Sequence, residues 1–336
     1  MPHRDPAGWP WLKERLSGFR QARPSPAAPV TGPAAVVRTA VVTDSAAALP
    51  ADWVRTVSVD GRLTVVPMPV MVGAEIYGEG EDDITDTIAL ALALASGTPV
   101  KTSRPSPGQF EQAYLAAQRH GFESVVSLHI SGDLSGTVDS ARLAAARVGI
   151  PVEVLDSRTV GMAQGMAVQN AVGAAAYGRA AADVREAAEQ GLARTKVYFY
   201  VPSLEQLRRG GRIGAAASLW GTMFAIKPIL AVEDGKVVPL EKVRSAAKAI
   251  ARLKEIAVAD AAGRAAGLAR IAVHHFGNPA EAEQLALELA AAVPGSPPVQ
   301  ISALPAVLAA HAGLGVLAVV VGESGAPAGP ETSALS

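Results

Sequence analysis

Residues 124–145 read SVVSLHISGDLSGTVDSARLAA. An apolar run of strand length (124–130) passes through a loop of Ser, Gly, Asp and Thr (131–137) into a stretch with helical character, and strand, short loop and helix in that order is the repeating unit of α/β folds. The same alternation extends in both directions. Upstream, AVVTD (40–44) and LTVVPMPV (63–70) read as strands, and downstream VEVLD (152–156), KVYFYV (196–201), KPILAVE (227–233) and KVVPLEKV (236–243) do so. ARIAVHHF (269–276), VQISAL (299–304) and GVLAVVV (315–321) complete the set. Asp234-Gly235 between two of these runs predicts a tight hairpin. Ser106-Pro107-Gly108-Gln109 and Asn278-Pro279-Ala280-Glu281 each predict a helix start, with a capping residue, Pro at the first helical position and Gln or Glu at the third.

With 336 residues the chain has room for two domains. The expected organisation is an N-terminal extension over 1–37, an α/β domain over 38–194, a second over 195–322 and a tail over 323–336. An Ala-rich helical region (160–194) separates the two strand sets. The extension contains QARPSPAAPVTGPAA, a composition that predicts disorder. Trp11, Leu12, Leu16 and Phe19 before it fall near helical spacing and offer a membrane-surface contact as the alternative reading. No apolar run approaches a membrane span, and the N-terminal residues lack the order of a secretory signal, so a cytoplasmic protein is expected.

Hydrophobic residues are 49% of the chain and aromatics 4%, so the core is built from aliphatic side chains. The absence of cysteine excludes disulfides, thiolate metal sites and a cysteine nucleophile. Residues 194–254 hold twelve Lys or Arg against four Asp or Glu, a local balance of +8 within a chain of net charge −1. That polarity suits either an acidic partner or a solvated helical surface. Nucleic acid is disfavoured, because no basic stretch is interleaved with stacking aromatics. Neither a G-x-S-x-G elbow, a Walker-type phosphate loop nor an H-E-x-x-H pair occurs. His274 and His275 are adjacent on an expected strand and therefore point to opposite faces.

Three polar loops follow strands or extended segments, where open α/β sheets place their ligands. They are Thr43-Asp44-Ser45, Lys101-Thr102-Ser103-Arg104-Pro105-Ser106 and Ser131-Gly132-Asp133-Leu134-Ser135-Gly136-Thr137. Hydroxyl groups and free N–H groups at a helix N-terminus suit an anion. The same residues read equally as ordinary N-caps.

Taken in order, VVTDSAAALP (41–50), VVPMPVMVGAEIYGEGEDDI (65–84), KTSRPSPGQF (101–110), HISGDLSGTVDSARLAA (129–145), VEVLDSRTVGMAQG (152–165), the segment from Ser203 to Ser245 and AHAGLG (310–315) resemble the DegV family. The studied members of that family are the fatty-acid-binding subunits of bacterial fatty acid kinase. The resemblance implies two α/β domains with a fatty-acid tunnel at and near their interface, no catalysis by the chain itself, and no cofactor or metal. It implies a long-chain fatty acid as ligand, with its carboxylate at Thr102, Ser135 and His311 and with Ser103 and Ser131 nearby. It further implies docking of a fatty acid kinase catalytic subunit at Arg244, with Arg212 contributing, formation of an acyl-phosphate that feeds phospholipid metabolism, and transient contact with the inner membrane surface. This chain has Gly313-Leu314-Gly315 where the family has Gly-Pro-Gly, and Ala46 where Thr or Ser is usual.

Neutral hydroxyls suit a carboxylate that must react, since they position it and leave one oxygen free, whereas an arginine clamp holds both. Two other functions remain open on the residues alone: a metal-dependent phosphate-ester enzyme with Asp44 and Asp156 as ligands, and a lipid-responsive regulatory module.

Overall fold

The computed structural model describes residues 39–77, 83–222, 226–265 and 267–323. The N-terminal extension with Trp11, Leu12, Leu16 and Phe19, and the tail from residue 324, lie outside the described residues. The first half of the chain runs β1 (Thr39–Asp44), α1 (Ala51–Val57), β2 (Leu63–Val66), β3 (Val70–Val72), β4 (Glu75–Tyr77), α2 (Asp83–Ser96), β5 (Val100–Thr102), α3 (Pro107–Arg119), β6 (Ser124–His129), α4 (Thr137–Ala145), β7 (Val152–Asp156), α5 (Met162–Ala176) and α6 (Ala181–Ala193). The second runs β8 (Lys196–Tyr200), α7 (Glu205–Arg209), β9 (Lys227–Glu233), β10 (Lys236–Val243), α8 (Ala246–Ala262), β11 (Ala269–His275), α9 (Pro279–Ala292), β12 (Gln300–Ala303), α10 (Ala306–Ala312) and β13 (Leu317–Glu323). The architecture is mixed α/β in two domains, as the sequence predicts.

β2, β1, β6 and β7 form a parallel sheet in that order. Both of its faces are covered, which is why its strands are nearly continuous in apolar residues. Val41 and Val126 face the helices α5 and α6, while Val42 and Val125 face α3 and α4. The connections change direction between β1 and β6, so the carboxyl ends of these two strands open onto the Asp44 and Ser131–Thr137 loops, the place where such sheets bind ligands.

The second sheet has the order β10-β9-β8-β13-β11-β12 and is antiparallel except for the β11–β12 pair. The period of two decides its function. Tyr198, Tyr200, Leu317, Val319 and Val321 pack on the side of α8 and α9. Val197, Phe199, Ala318 and Val320 point the other way, toward α10 and the first half of the chain. That second face is not filled by helices alone; it borders a cavity.

The third sheet, β4-β3-β5, is small and antiparallel. The expected single strand over 63–70 divides here into β2 and β3, because Pro67 and Pro69 lack the N–H that a continuous ladder needs. The two pieces join different sheets. Thr102 ends β5 opposite Val70. The region 160–194 likewise divides into α5 and α6 at a turn where Gly178 takes φ 69°.

The capping box at Ser106 forms as predicted, with the Ser106 side chain accepting from the Gln109 N–H and the Gln109 side chain accepting from the Ser106 N–H. At Asn278 the start is placed correctly, but the Asn side chain makes no capping bond and donates instead to Glu281 at 2.9 Å. Asp234 (φ 47°) and Gly235 (φ 83°) make the predicted hairpin turn between β9 and β10. Glu323 closes β13 and pairs with Arg194, so the ordered strand reaches one residue into the expected tail.

Candidate functional site

A cavity of about 230 Å³ lies between the inner face of the second sheet and the loops of the first half. Val197 and Phe199 from β8, Val232 from β9 and Val320 from β13 line one wall; Met68, Ile130 and Leu134 line the other. Its polar groups are Thr102, Ser103, Arg104, Ser135, Arg212, His274 and His311.

Thr102 and His311 meet directly: Thr102 Oγ1 lies 2.8 Å from His311 Nε2. The first is placed by the end of β5 and the second by the short helix α10, which packs against β3, β5 and α2. Ser135 lies on the cavity wall and hydrogen-bonds Thr137 Oγ1 at 2.8 Å. Neither hydroxyl caps α4, whose N-cap is Gly136 with no side-chain bond. Ser103 also borders the cavity, and its Oγ donates to the Arg104 carbonyl at 3.1 Å.

Two expected residues are placed differently. Ser131 is fully buried and does not border the cavity; its Oγ donates to the Gly235 carbonyl at 2.8 Å and accepts from the Asp133 N–H. It therefore fixes the β9–β10 turn to the loop that carries Ser135, beside the Arg158–Asp234 carbonyl bond at 2.8 Å. Arg212 is not displayed with Arg244. It turns into the cavity wall, where Nε donates to Leu134 O at 2.9 Å and Nη1 to Gly210 O at 2.6 Å. Arg244 stands exposed just beyond β10, next to exposed Lys242.

The polar lining is accordingly not made of neutral hydroxyls alone, since Arg104 and Arg212 both belong to it. Arg212 spends two of its donor groups on backbone carbonyls, so it contributes charge without the free two-pronged fork of a carboxylate clamp. Local sequence does not separate these two arginines from the others in the chain.

His274 is the remaining polar wall residue. Its Nε2 accepts from the Met162 N–H at 3.0 Å, capping α5, so the ring proton sits on Nδ1 and points to Ser302 Oγ at 2.9 Å. The strand alternation holds: His274 is buried and His275 half-buried. Burial lowers the His274 pKa to about 4. Burial, with the Arg212 charge second, lowers that of His311 to about 4.

Both histidines are neutral in the folded protein at neutral pH, while unfolded histidine titrates near 6.5. Between these values the unfolded chain binds more protons, so stability present above pH 6.5 is lost as pH falls toward 4. Each ring contributes on the order of 3 kcal/mol to that loss, from about 1.36 kcal/mol per pKa unit. Urea unfolding at pH 7 and pH 4.5 is expected to show the decline, and His311→Gln to reduce its slope by about one proton. A slope unchanged by that variant contradicts the assignment.

The pairing of Asp44 with Asp156 as metal ligands meets a structural obstacle. Asp44 is buried and accepts from the Ala46 and Ile130 N–H groups, both at 3.0 Å, and from His129 Nδ1, also at 3.0 Å. Asp156 accepts from the N–H groups of Gly132 and Arg158. Among the described residues no group of three or more His, Asp or Glu is arranged to hold a metal ion. No helix among them is long and apolar enough to cross a membrane.

Fold and site together define a two-domain α/β protein enclosing a mostly apolar cavity with a few polar groups on its wall, the form of a binding site for an amphiphile. The chain belongs to the DegV family: the family model described as "Uncharacterised protein, DegV family" matches residues 38–323. A DegV domain-containing protein of Streptomyces coelicolor is 46% identical over 282 residues, covering 84% of this chain and 97% of that protein. One from Mycobacterium tuberculosis is 36% identical over 288 residues, covering 85% of this chain and 98% of that protein. Among solved structures, a fatty-acid-binding DegV family protein from Thermus thermophilus superposes with a TM-score of 0.77 at 32% identity, covering 85% of this chain and all of that one. DegV of Bacillus subtilis, a fatty acid binding protein, gives 0.75 at 29% identity, covering 85% of this chain and 99% of that one.

Proposed function

We propose that this protein binds one long-chain fatty acid in the cavity and presents its carboxylate to a separate fatty acid kinase. The carrying observation is that the aliphatic walls of the cavity also carry the hydrogen-bonded Thr102–His311 pair and the Ser135 hydroxyl. Its volume of about 230 Å³ is on the order of fifteen to twenty times the space one water needs. A long acyl chain has a similar number of heavy atoms. Each buried methylene is worth about 0.8 kcal/mol, so roughly fifteen supply on the order of 10 kcal/mol before ordering costs. The tail provides affinity and the polar groups set orientation.

In this reading Thr102, Ser135, His311 and Ser103 hold the carboxylate, and Arg212 raises the local positive potential without clamping it. An oxygen of the carboxylate attacks the phosphoryl donor held by the partner, the donor's bond to the transferred phosphorus breaks, and acyl-phosphate forms for phospholipid metabolism. The protein supplies position and desolvation; the kinase supplies the phosphoryl-transfer groups. The two domains divide near residue 194. The protein works in the cytoplasm and meets the inner membrane surface transiently when the lipid is exchanged.

Arg244 is the docking residue. It is exposed, sits in the basic segment, and makes no hydrogen bond or ion pair among the described residues. Acyl-phosphate formation by a fatty acid kinase catalytic subunit, with this protein loaded with hexadecanoic acid, tests the reading. Arg244→Glu is expected to raise the KM for the loaded protein at least tenfold while its fatty-acid content stays unchanged. No acyl-phosphate from the native protein would favour the lipid-responsive regulator instead.

A further inference from the structure

Gly210 lies at the end of α7 with φ −78° and ψ −9°, an ordinary right-handed conformation open to any residue. Its lack of a side chain answers to space. A Cβ at this position would stand 2.1 Å from His311 Nδ1 and 2.7 Å from Cε1. The imidazole therefore rests against the bare backbone of Gly210. The carbonyl of the same residue accepts from Arg212 Nη1 at 2.6 Å. One residue thus brings together a buried ring nitrogen and a guanidinium.

His311 Nδ1 is buried without a hydrogen-bond partner, while Nε2 is 2.8 Å from Thr102 Oγ1. A neutral imidazole carries one proton, and its position decides what Thr102 can do. A proton on Nδ1 would leave a buried donor unsatisfied and turn the positive end of an N–H dipole toward a cation. It would also oblige the Thr102 hydroxyl to donate to Nε2. A bare Nδ1 turns its lone pair to the positive side and places the proton on Nε2, where Thr102 Oγ1 accepts it. The Thr102 hydroxyl proton then remains free to point into the cavity.

We propose that Gly210 and Arg212 are positioning residues that fix His311 as the Nε2–H tautomer, so that Thr102 meets an anionic ligand as a hydrogen-bond donor. The inference rests on the carboxylate site proposed above and deepens it, because it assigns the ionic form the site selects: the deprotonated acid, not the neutral acid or its ester. The low pKa of the His311 ring agrees with a neutral imidazole.

The test is nitrogen-15 NMR of histidine-labelled full-length protein at pH 7.5, with the His311 signals assigned by their loss in His311→Asn. Native protein is expected to show an unprotonated Nδ1 and a protonated Nε2 at His311. Arg212→Gln is expected to introduce a measurable share of the other tautomer. Gly210→Ala is expected to break the Nε2–Thr102 coupling and lower the affinity for hexadecanoate more than that for its methyl ester. Should Gly210→Ala fail to fold, the native and Arg212→Gln spectra still decide. A native ring protonated on Nδ1, or an Arg212→Gln spectrum identical to native, overturns the proposal. Binding of carboxyl-labelled hexadecanoate is read in the same samples: a native Nε2–H signal with no bound hexadecanoate leaves the tautomer assignment standing and rejects the fatty-acid reading.

Discussion

A Thr102→Ala, Ser135→Ala double variant is expected to leave purification with little bound fatty acid and to bind added hexadecanoate at least a hundredfold more weakly than the native protein. Thr102 stands at the end of a short strand and is paired with His311; Ser135 reaches the cavity from the loop before α4. A hydrogen bond to a charged group contributes about 1.5–3 kcal/mol, and each tenfold in affinity is about 1.4 kcal/mol. In the proposed site the two hydroxyls would share one carboxylate, so their losses are coupled and the sum is an upper limit. Neither side chain fills the core, and the melting temperature is expected to stay within a few degrees of native. A double variant with native affinity would place the carboxylate elsewhere in the molecule.

The second large effect concerns the tail. Ala318 lies on the inner face of β13, opposite Phe199 on β8 and His274 on β11, and borders the cavity. Its small side chain leaves cavity space that the proposed function gives to the acyl chain. Ala318→Phe is expected to fill room for on the order of four methylenes, which at about 0.8 kcal/mol each costs roughly 3 kcal/mol and more than a hundredfold in affinity for hexadecanoate. Dodecanoate, a shorter chain, is expected to lose far less. Competitive titration of the two acids measures the ratio, and an equal loss for both would show that the tail does not run along this face. The ring enters existing space, so the variant is expected to fold.

The long strands were legible because their composition is continuous and their ends are marked. The runs 227–233 and 236–243 coincide with β9 and β10, joined by Asp234-Gly235. The sheet β4-β3-β5 was not legible, since its strands have three residues each and carry no period of their own. By local pattern Thr102 therefore falls in a polar loop, and its contact with His311 follows from the resemblance and the tertiary fold. Ser131 shows the opposite case. Its hydroxyl matches an anion loop in type and spacing, yet it is committed to Gly235, a partner that only packing between the two halves reveals. Gly210 gave no local signal because its backbone is ordinary; the side chain that forbids a Cβ there belongs to a helix far along the chain. Arg212 belongs by sequence to the basic segment, and the loop carbonyl of Leu134 turns it inward.

The proposed function requires a lipid tail in the space behind Thr102 and Ser135. Organic extraction of the untreated, full-length protein followed by mass spectrometry examines it without any added ligand. Long-chain fatty acid is expected at close to one molecule per chain. Native protein that yields none, and that takes up no hexadecanoate when supplied, would contradict it.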